Sequence, residues 1–244
     1  MLNHFPGVGI VEGMWQGKRI GAVLLMGGEG RRFGSVMPKQ FHLLDGKPLY
    51  RYAWEALVEV GIFDEIVLVC HRDWIESIEG TRVVEGGKTR QESSYLGLKG
   101  FLRKPDIVLI HDGVRPFVTA EILRENVERA IVIGAVDTCI PSTDTLVYAP
   151  SGKVISEIPR REDYWRGQTP QTFRMEWIVE AHERAIREGI ENATDDCRLV
   201  LREGREVEIV LGDDRNLKIT SEFDLWLAEK WICERKALGN PRAF

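Results

Sequence analysis

Apolar runs, separated by turns that contain glycine, recur along the chain. They lie at residues 22–26, 65–70 and 106–110, and residues 135–140, with a polar Asp137-Thr138 pair inside, resemble them. A parallel strand that is covered on both faces needs no alternation of apolar and polar positions, so these runs predict buried strands. Further strands are predicted at 81–84, at 207–211 and, as a short one, at 216–220.

Helical periodicity fills most of the chain between these runs. One pattern opens at Pro48 and closes at Gly61, which suits proline in a first turn and glycine past an end. Thr119 is placed to cap a helix that runs to Gly134. Other helices are predicted near 73–78, through Leu96 and Leu98, at 175–189, at 195–203, and from Ser221, which has capping-box spacing to Asp224. The strand, helix, strand order predicts an α/β fold whose mostly parallel sheet is flanked by helices.

Residues 145–148 and 154–158, joined by a turn at 150–153, predict a two-stranded β-hairpin. A hairpin this apolar would be only marginally stable alone. We therefore expect a protruding arm, residues 142–162, that leaves the main sheet and docks on the same hairpin of a second subunit. The arm is followed by residues 165–171, a segment rich in side-chain donors that contains Pro170.

The run 22–26 leads directly into a glycine-rich loop, residues 27–34, which carries two arginines and precedes Lys39. Glycines let backbone N–H groups point at an anion, and the nearby cations supply charge that a polyphosphate needs. Two familiar phosphate loops are excluded, because Phe33 stands where a dinucleotide fingerprint needs glycine and no Gly-Lys-Ser/Thr ending occurs. A solvated turn is the alternative, but three cations beside a buried strand favour phosphate binding.

Two more segments place polar groups after predicted strands. The loop 85–94 carries Gly86 and Gly87, and Asp112 follows the run 106–110. Ligands of open α/β sheets sit at the carboxyl ends of the strands, so these segments can line one pocket with the first loop. Asp112 could hold a ribose hydroxyl or a nucleotide-bound divalent cation. The alternatives are purely structural: the loop 85–94 can be an ordinary strand-to-helix turn, and Asp112 can cap the turn that follows it.

The composition indicates one large domain. The chain has 244 residues, with 33 basic and 38 acidic side chains and a net charge of −5, which does not support nucleic-acid or membrane binding. Four cysteines without a Cys-x-x-Cys pair favour free thiols in a reducing cytoplasm. Residues 1–19 lack the apolar core of a signal peptide, so we expect a loosely ordered extension before a domain at 20–238. No apolar run is long enough to span a membrane.

Seven short motifs occur in series between Gly21 and about Trp231. They are Gly-Gly-x-Gly-x-Arg with Pro38-Lys39-Gln40, Gly86-Gly87-x-x-Arg90-x-x-Ser93, His111-Asp112-Gly113-x-Arg115-Pro116, Asp144-Thr145, Thr169-Pro170-Gln171, Thr194-Asp195-Asp196 and Asn216-x-Lys218-x-Thr220. Together they resemble the 2-C-methyl-D-erythritol 4-phosphate cytidylyltransferase family. The resemblance implies a Rossmann-like nucleotidyltransferase fold, a homodimer built on the arm, and transfer of CMP from CTP to the polyol phosphate with Mg²⁺ bound largely through the CTP phosphates.

The resemblance also implies a role for each matching residue. Arg32, Lys39 and Lys218 would stabilise the charge that develops at the α-phosphate, where no side-chain base is needed. The implied CTP ligands are Gly27, Gly28, Glu29, Gly30, Arg31, Gly87, Arg90, Ser93 and Asp112. Of these, Gly87 and Ser93 would read cytosine, and Asp112 would also lie near the metal. The polyol phosphate would be bound by Arg115 and by Thr145 and Arg160 from the arm of the partner subunit.

This sequence departs from the family pattern at three places. Leu25 and Met26 replace the usual small residues before the first loop, and Lys88 stands where an acidic residue is often found. Because Arg160 and Arg161 are adjacent, either can be the arginine that binds the substrate phosphate.

Three other functions compete with this interpretation. Ribitol 5-phosphate cytidylyltransferases share the motifs, and residues 135–138 and 167–171 lean towards them, whereas 87–93 and 111–113 lean towards the methylerythritol enzymes. A nucleotide-binding regulator without turnover would tolerate loss of the three catalytic cations, so their retention argues against it. An oxidoreductase on a similar sheet lacks the dinucleotide glycine spacing.

Overall fold

The computed structural model describes residues 15–27, 37–78 and 82–237. Its strands are β1 (Ile20–Leu25), β2 (Leu43–Leu44), β3 (Lys47–Pro48), β4 (Glu65–Cys70), β5 (Arg82–Glu85), β6 (Ile107–Asp112), β7 (Ala135–Pro141), β8 (Trp165–Arg174) and β9 (Glu208–Leu211). Its α-helices are α1 (Leu49–Glu59), α2 (Arg90–Lys99), α3 (Ala120–Ile133), α4 (Met175–Arg187), α5 (Asp196–Arg202) and α6 (Glu222–Ala237). Short 3₁₀ helices occupy Lys39–Phe41, Arg72–Ser77 and Arg161–Asp163.

Seven strands form one sheet in the order β5-β4-β1-β6-β8-β7-β9, and β2 pairs separately with β3. Neighbouring strands of the sheet are parallel except at β8, which runs antiparallel to both β6 and β7. The predicted α/β fold with a mostly parallel sheet is therefore confirmed. The register pairs Leu25 with Asp112, so the carboxyl ends of β1 and β6 lie side by side.

Helices cover both faces of the sheet, and successive residues of β1 point to opposite sides. Leu24 packs with residues of α1 and α3, whereas Val23 packs with residues of α2, α4 and α5. Helix α2 lies especially close, because a Cβ on Gly97 would fall 2.5 Å from a methyl group of Val23. This close packing sets the amino end of α2 beside the end of β1.

Most predicted elements occur where the pattern placed them. The Thr119 side chain accepts a hydrogen bond from Ile122 N, and α3 ends at Gly134, whose φ is +104°, in the left-handed region that suits glycine. At the start of α6, Asp224 N donates to Ser221 Oγ and Ser221 N donates to Asp224 Oδ2, which confirms the capping box. Trp15 packs against the core, whereas residues 1–14 of the predicted extension lie outside the described residues.

Strand β8 was missed by the sequence analysis, which gave residues 165–171 no strand. The reason is that its interior positions are polar: Gln168, Thr169, Gln171 and Thr172 are all buried. These groups are satisfied by side-chain hydrogen bonds, such as the one from Gln171 Nε2 to Asp137 Oδ1 at 3.0 Å. A buried strand of this kind lacks the apolar periodicity on which the prediction depended.

The short strand predicted at 216–220 is wrong. Ile219 N donates to Val114 O at 2.9 Å, but the segment is held mainly by the buried side chain of Asn216, whose Nδ2 donates to Gln168 Oε1 and Thr169 O. Side-chain contacts to β8 therefore replace a strand ladder here.

The predicted two-stranded hairpin of the arm is also wrong in its detail. The arm contains only one bridge, between Tyr148 and Glu157, and its turn passes through Gly152 at φ +69°. Its apolar side chains Val147, Val154 and Ile155 are 52%, 68% and 55% exposed. An isolated pair of strands that buries so little apolar surface is marginal, which explains the short pairing.

Candidate active site

The carboxyl end of β6 carries Asp112, which is surrounded by three cations. Lys218 Nζ lies 2.8 Å from Asp112 Oδ2, Arg115 Nε lies 3.7 Å from the same oxygen, and Arg90 Nε lies 3.7 Å from Oδ1. Burial alone would raise the pKa of Asp112, but Lys218, Arg90 and Arg115 hold this pKa well below its usual range. The carboxylate is therefore ionised. It brings Arg90, Arg115 and Lys218 together, and all three are site residues predicted from the sequence.

Arg90 is the first residue of α2, so the helix begins inside the segment that was predicted to be a loop. Thr89 caps the helix by accepting a hydrogen bond from Glu92 N. The guanidinium donates from Nη1 to Asp196 Oδ2 at 2.6 Å. Burial alone would lower the pKa of Arg90, but Asp196 and Asp112 raise it above its usual value, so the charge is permanent.

Arg115 anchors the segment that carries Lys218. Its Nη1 donates to Asn216 O at 2.7 Å, and its side chain is only 10% exposed. The Asn216 side chain holds the other side of this segment against β8. These contacts fix Lys218 beside Asp112 and place Arg115 mainly beneath the site.

His111 and Thr169 support Asp112 from behind. Burial lowers the pKa of His111 to about 4, so its imidazole is neutral. Asp112 N donates to Thr169 Oγ1 at 3.1 Å, and Thr169 Oγ1 lies 2.9 Å from His111 Nδ1. With Nε2 only 3.3 Å from Arg115 O, both contacts are satisfied when Nε2 carries the proton and the Thr169 hydroxyl donates to Nδ1.

A cleft of about 870 Å³ opens beside the ends of β1 and β5. It is lined by Gly27 after β1, by Gly86 and Gly87 after β5, and by Arg90 and Ser93 on α2. Gly87 N donates to Ser93 Oγ at 3.1 Å, and a Cβ on Gly27 would lie 3.2 Å from the same hydroxyl. The glycines thus bring two backbone turns against Ser93, and the exposed Lys88 lines the same cleft.

Lys39 begins the 3₁₀ helix Lys39–Phe41 and is partly exposed. The next residue ties this helix to β1, because Gln40 Nε2 donates to Met26 O at 2.5 Å. Pro38 lines the cleft. The structure therefore places Lys39 near the carboxyl end of β1.

Several predicted site residues are not brought to Asp112 by any described contact. Thr145 and Arg160 are exposed on the arm, and the neighbouring Arg161 donates to Thr143 O at 3.1 Å. The glycine-rich loop lies outside the described residues beyond Gly27, so the roles predicted for five of its residues stay predictions: Gly28, Glu29, Gly30, Arg31 and Arg32.

The predicted Mg²⁺ has one carboxylate available at this site, that of Asp112. Mg²⁺ in nucleotide sites usually takes one or two carboxylates together with phosphate oxygens and water. Within the described part of the chain, the single cluster of three or more metal-ligating side chains is Asp137, Asp195 and Cys197, and its thiol does not suit Mg²⁺. The residues present therefore fit a Mg²⁺ that is bound mainly by the nucleotide.

Two buried residues behind Arg90, His182 and Asp196, have no role that the sequence pattern predicts. Asp196, the first residue of α5, is 1% exposed, and its Oδ1 lies 2.9 Å from Nε2 of the fully buried His182 on α4. Asp196 belongs to the Thr194-Asp195-Asp196 motif, but an aspartate near the start of a helix is usually a cap, so the motif alone does not indicate a contact with Arg90. The cap is in fact Asp195, which accepts from Arg198 N.

A model of one protein family, described as 2-C-methyl-D-erythritol 4-phosphate cytidylyltransferase, matches residues 20–234. The chain belongs to this family. It is 38% identical over 237 residues to a protein of that name from Geotalea uraniireducens, covering 92% of this chain and all of the relative. It is also 34% identical over 230 residues to a ribitol-5-phosphate cytidylyltransferase from Lactiplantibacillus plantarum, covering 88% of this chain and 98% of the relative.

Solved structures of the family share the fold. The crystal structure of 4-diphosphocytidyl-2C-methyl-D-erythritol synthase from Anaerococcus prevotii matches with a TM-score of 0.78 and 28% identity over 89% of this chain and 97% of that one. The Thermus thermophilus 2-C-methyl-D-erythritol 4-phosphate cytidylyltransferase matches with a TM-score of 0.73 and 32% identity over 86% and 98%. The predicted family and its nucleotidyltransferase fold are thus confirmed. No described helix is long and apolar enough to cross a membrane.

Proposed function

We propose that this protein transfers CMP from CTP to 2-C-methyl-D-erythritol 4-phosphate and releases pyrophosphate. The observation that carries the proposal is the family match over residues 20–234, together with a relative of that name at 38% identity along its whole length. The Asp112 cluster is consistent with this reaction, since Arg90, one of its three cations, also lines a glycine-bearing cleft of about 870 Å³.

In the proposed reaction, a phosphate oxygen of the acceptor attacks the α-phosphorus of CTP, and the bond to the pyrophosphate oxygen breaks. The acceptor phosphate is already an anion, so no side chain has to remove a proton. Catalysis then consists of positioning the two phosphates and stabilising the charge that spreads over the α-phosphate oxygens. We assign that stabilisation to Lys218 and Lys39, and to Arg32 from the glycine-rich loop.

The nucleotide is placed by the cleft. Gly87 and Ser93, which bond to each other, would present backbone and hydroxyl groups to the cytosine ring. Arg90 would lie beside the nucleotide, and Asp112 would accept from the ribose or contribute one oxygen to the metal. A Mg²⁺ held mainly by the CTP phosphates would offset part of the negative charge of the leaving pyrophosphate. Amides of the loop at residues 27–31 would hold its oxygens.

The acceptor site is proposed to be completed by a second copy of the chain. Thr145 and Arg160, or Arg161 in its place, would reach across from the partner's arm to the acceptor phosphate. The exposed apolar side chains of the arm, including Val154 and Ile155 at 68% and 55%, supply the surface that dimer formation would bury. Arg115 is assigned a supporting role, since its main hydrogen bond fixes the Lys218 segment.

A cytoplasmic location is part of this proposal. The buried cysteines Cys70, Cys139 and Cys197 are free thiols, as a reducing compartment allows. We further propose that the domain spans residues 20–238 and includes the arm at 142–162.

Ribitol 5-phosphate is the second candidate acceptor, favoured by the relative of that activity at 34% identity. The deciding experiment measures pyrophosphate release from CTP with each acceptor supplied separately. We expect release with 2-C-methyl-D-erythritol 4-phosphate. Release with ribitol 5-phosphate alone would replace the first acceptor by the second, and CTP binding without release by any acceptor would favour a regulator.

A further inference from the structure

Asp196 is the most deeply buried carboxylate near the cleft, and it joins three helices. It opens α5, lies 2.9 Å from His182 Nε2 on α4, and accepts from Arg90 Nη1 on α2 at 2.6 Å. Its side chain is 1% exposed and that of His182 is 0% exposed. A buried carboxylate is stable only when paired and hydrogen-bonded, so these contacts offset the cost of burying it.

The charge state of Asp196 follows from these contacts. Burial alone would raise the pKa of Asp196, but Arg90 and His182 hold this pKa well below its usual range. Asp196 is thus a permanent anion whose nearest cation is Arg90. Since Asp196 is buried, it reaches neither the cleft nor any nucleotide bound there.

Arg90 faces two ways. One edge of its guanidinium is held by Asp196, while Nε lies 3.7 Å from Asp112 Oδ1. The side chain is still 23% exposed and lines the cleft with Gly87 and Ser93. An arginine side chain has many rotamers, so a fixed anion behind it decides where its charge sits relative to the cleft.

We propose that Asp196 is a positioning residue that acts through Arg90, holding the guanidinium where it supports both Asp112 and the bound nucleotide. This inference rests on the proposed function, because it assumes that CTP binds in the cleft. The competing explanation is structural: Asp196 and His182 would only tie α5 to α4, and loss of the carboxylate would then lower stability without a specific effect on CTP.

A double-mutant cycle separates these explanations. Asp196→Asn removes the charge but keeps an oxygen that can accept from Arg90, and Arg90→Gln removes the cation. We expect each single variant to weaken CTP affinity and kcat/KM for CTP by about 10- to 100-fold, the range expected for a displaced positioning group. In the Arg90→Gln background, adding Asp196→Asn should change either quantity by less than about twofold, because the group through which Asp196 acts is already gone.

Two further measurements keep the test decisive. The double variant leaves Asp112 and Lys218 in place and buries no unpaired Asp196 charge, so it serves as the folded comparison when Arg90→Gln alone is too unstable. Thermal melting reports the fold of each protein. Glu208→Gln is the matched control, since it breaks an Arg129 pair with contacts at 2.6 and 2.7 Å at the start of β9. We expect it to leave CTP affinity unchanged.

The outcomes distinguish this inference from the proposed function. CTP affinity is measured by calorimetry without any acceptor, so it does not depend on which polyol phosphate is used. If the wild-type protein fails to bind CTP, the proposed function is overturned. If it binds CTP and the Asp196→Asn effect persists in full in the Arg90→Gln background, or if Asp196→Asn binds CTP as the wild type does, the positioning role alone is overturned.

Discussion

Lys218 Nζ lies 2.8 Å from Asp112 Oδ2, which joins the segment after β9 to the carboxyl end of β6. The two residues are 106 positions apart in the sequence. They meet because Arg115 donates to Asn216 O and the Asn216 side chain donates to Thr169 O, which fixes the segment that carries Lys218. The lysine remains 38% exposed. One face of its ammonium group is therefore held by the carboxylate while the rest stays accessible to a phosphate.

Lys218→Met should lower turnover far more than it weakens CTP binding. Methionine keeps much of the aliphatic length but removes the charge, and loss of one group that stabilises a developing anion typically costs about 100- to 1,000-fold in kcat. The measurement compares kcat with the calorimetric affinity for CTP. Lys236→Met is the control and should leave both values unchanged. Lys236 lies on α6, and its Nζ forms a similar pair with Asp45 Oδ2 at 2.5 Å. A loss of affinity as large as the loss of rate would assign Lys218 to ground-state binding.

Lys39→Ala and Arg32→Ala are expected to behave in the same way. Lys39 lies on the 3₁₀ helix that Gln40 ties to the end of β1, and Arg32 belongs to the adjoining loop. Their charges are proposed to act on the reacting phosphorus, so turnover should fall by about 100-fold or more while CTP affinity changes less. Lys104→Ala, which removes a lysine near the opposite end of β6, should be neutral. Equal losses of rate and affinity would contradict the catalytic assignment.

Asp137→Asn should stabilise the protein at high pH and not at low pH. Burial and the neighbouring Asp195 raise the pKa of Asp137 from 3.8 to about 6. Because the pKa is raised in the folded state, the contribution of Asp137 to stability is fully present below about pH 4 and is lost as pH rises through about 6. Asparagine cannot ionise, so the variant should exceed the wild type by about 1 to 3 kcal/mol at pH 8 and by almost nothing at pH 4.

Chemical denaturation at both pH values measures this difference. The exposed Asp163→Asn is the control and should change the free energy of unfolding by less than about 0.5 kcal/mol at either pH. A stability gap for Asp137→Asn that is the same at pH 4 and pH 8 would show that ionisation of Asp137 is not its cause.

We expect removal of the arm to produce a monomer whose central sheet is intact. Deletion of residues 144–158 takes away the exposed apolar surface that is proposed to bury on dimer formation, together with Thr145. A milder test is Ile155→Glu, matched by Ile186→Glu on α4, since both isoleucines are 55% exposed. Analytical ultracentrifugation should show dissociation for Ile155→Glu only. A fully active monomer after the deletion would refute the proposed role of the arm.

The sequence predicted those parts of the fold whose burial is apolar. The runs that became β1, β4 and β6 were visible because both of their faces pack against hydrophobic side chains. Strand β8 was missed because most of its buried positions are glutamine and threonine, which carry no hydrophobic signal. The segment at 216–220 showed the opposite error, because its order comes from one buried asparagine and not from pairing of its backbone.

The site residues likewise divide into those that the sequence motifs predict and those that only the fold reveals. Asp112, Arg90, Ser93 and Lys218 belong to motifs with recognisable spacing, and the fold brings Asp112, Arg90 and Lys218 together. His182 and Asp196 were given no role, because they act from behind Arg90 across a distance of 106 residues between Arg90 and Asp196. Only the folded arrangement of α2, α4 and α5 reveals that contact.

A competition between the two acceptors for limiting CTP reveals which polyol phosphate the enzyme uses. Equal concentrations of 2-C-methyl-D-erythritol 4-phosphate and ribitol 5-phosphate are supplied together with Mg²⁺, and the CDP-linked products are separated and identified by mass spectrometry. We expect CDP-methylerythritol as the main product, with pyrophosphate released in equal amount. CDP-ribitol as the main product, or consumption of neither acceptor, would contradict the proposed function.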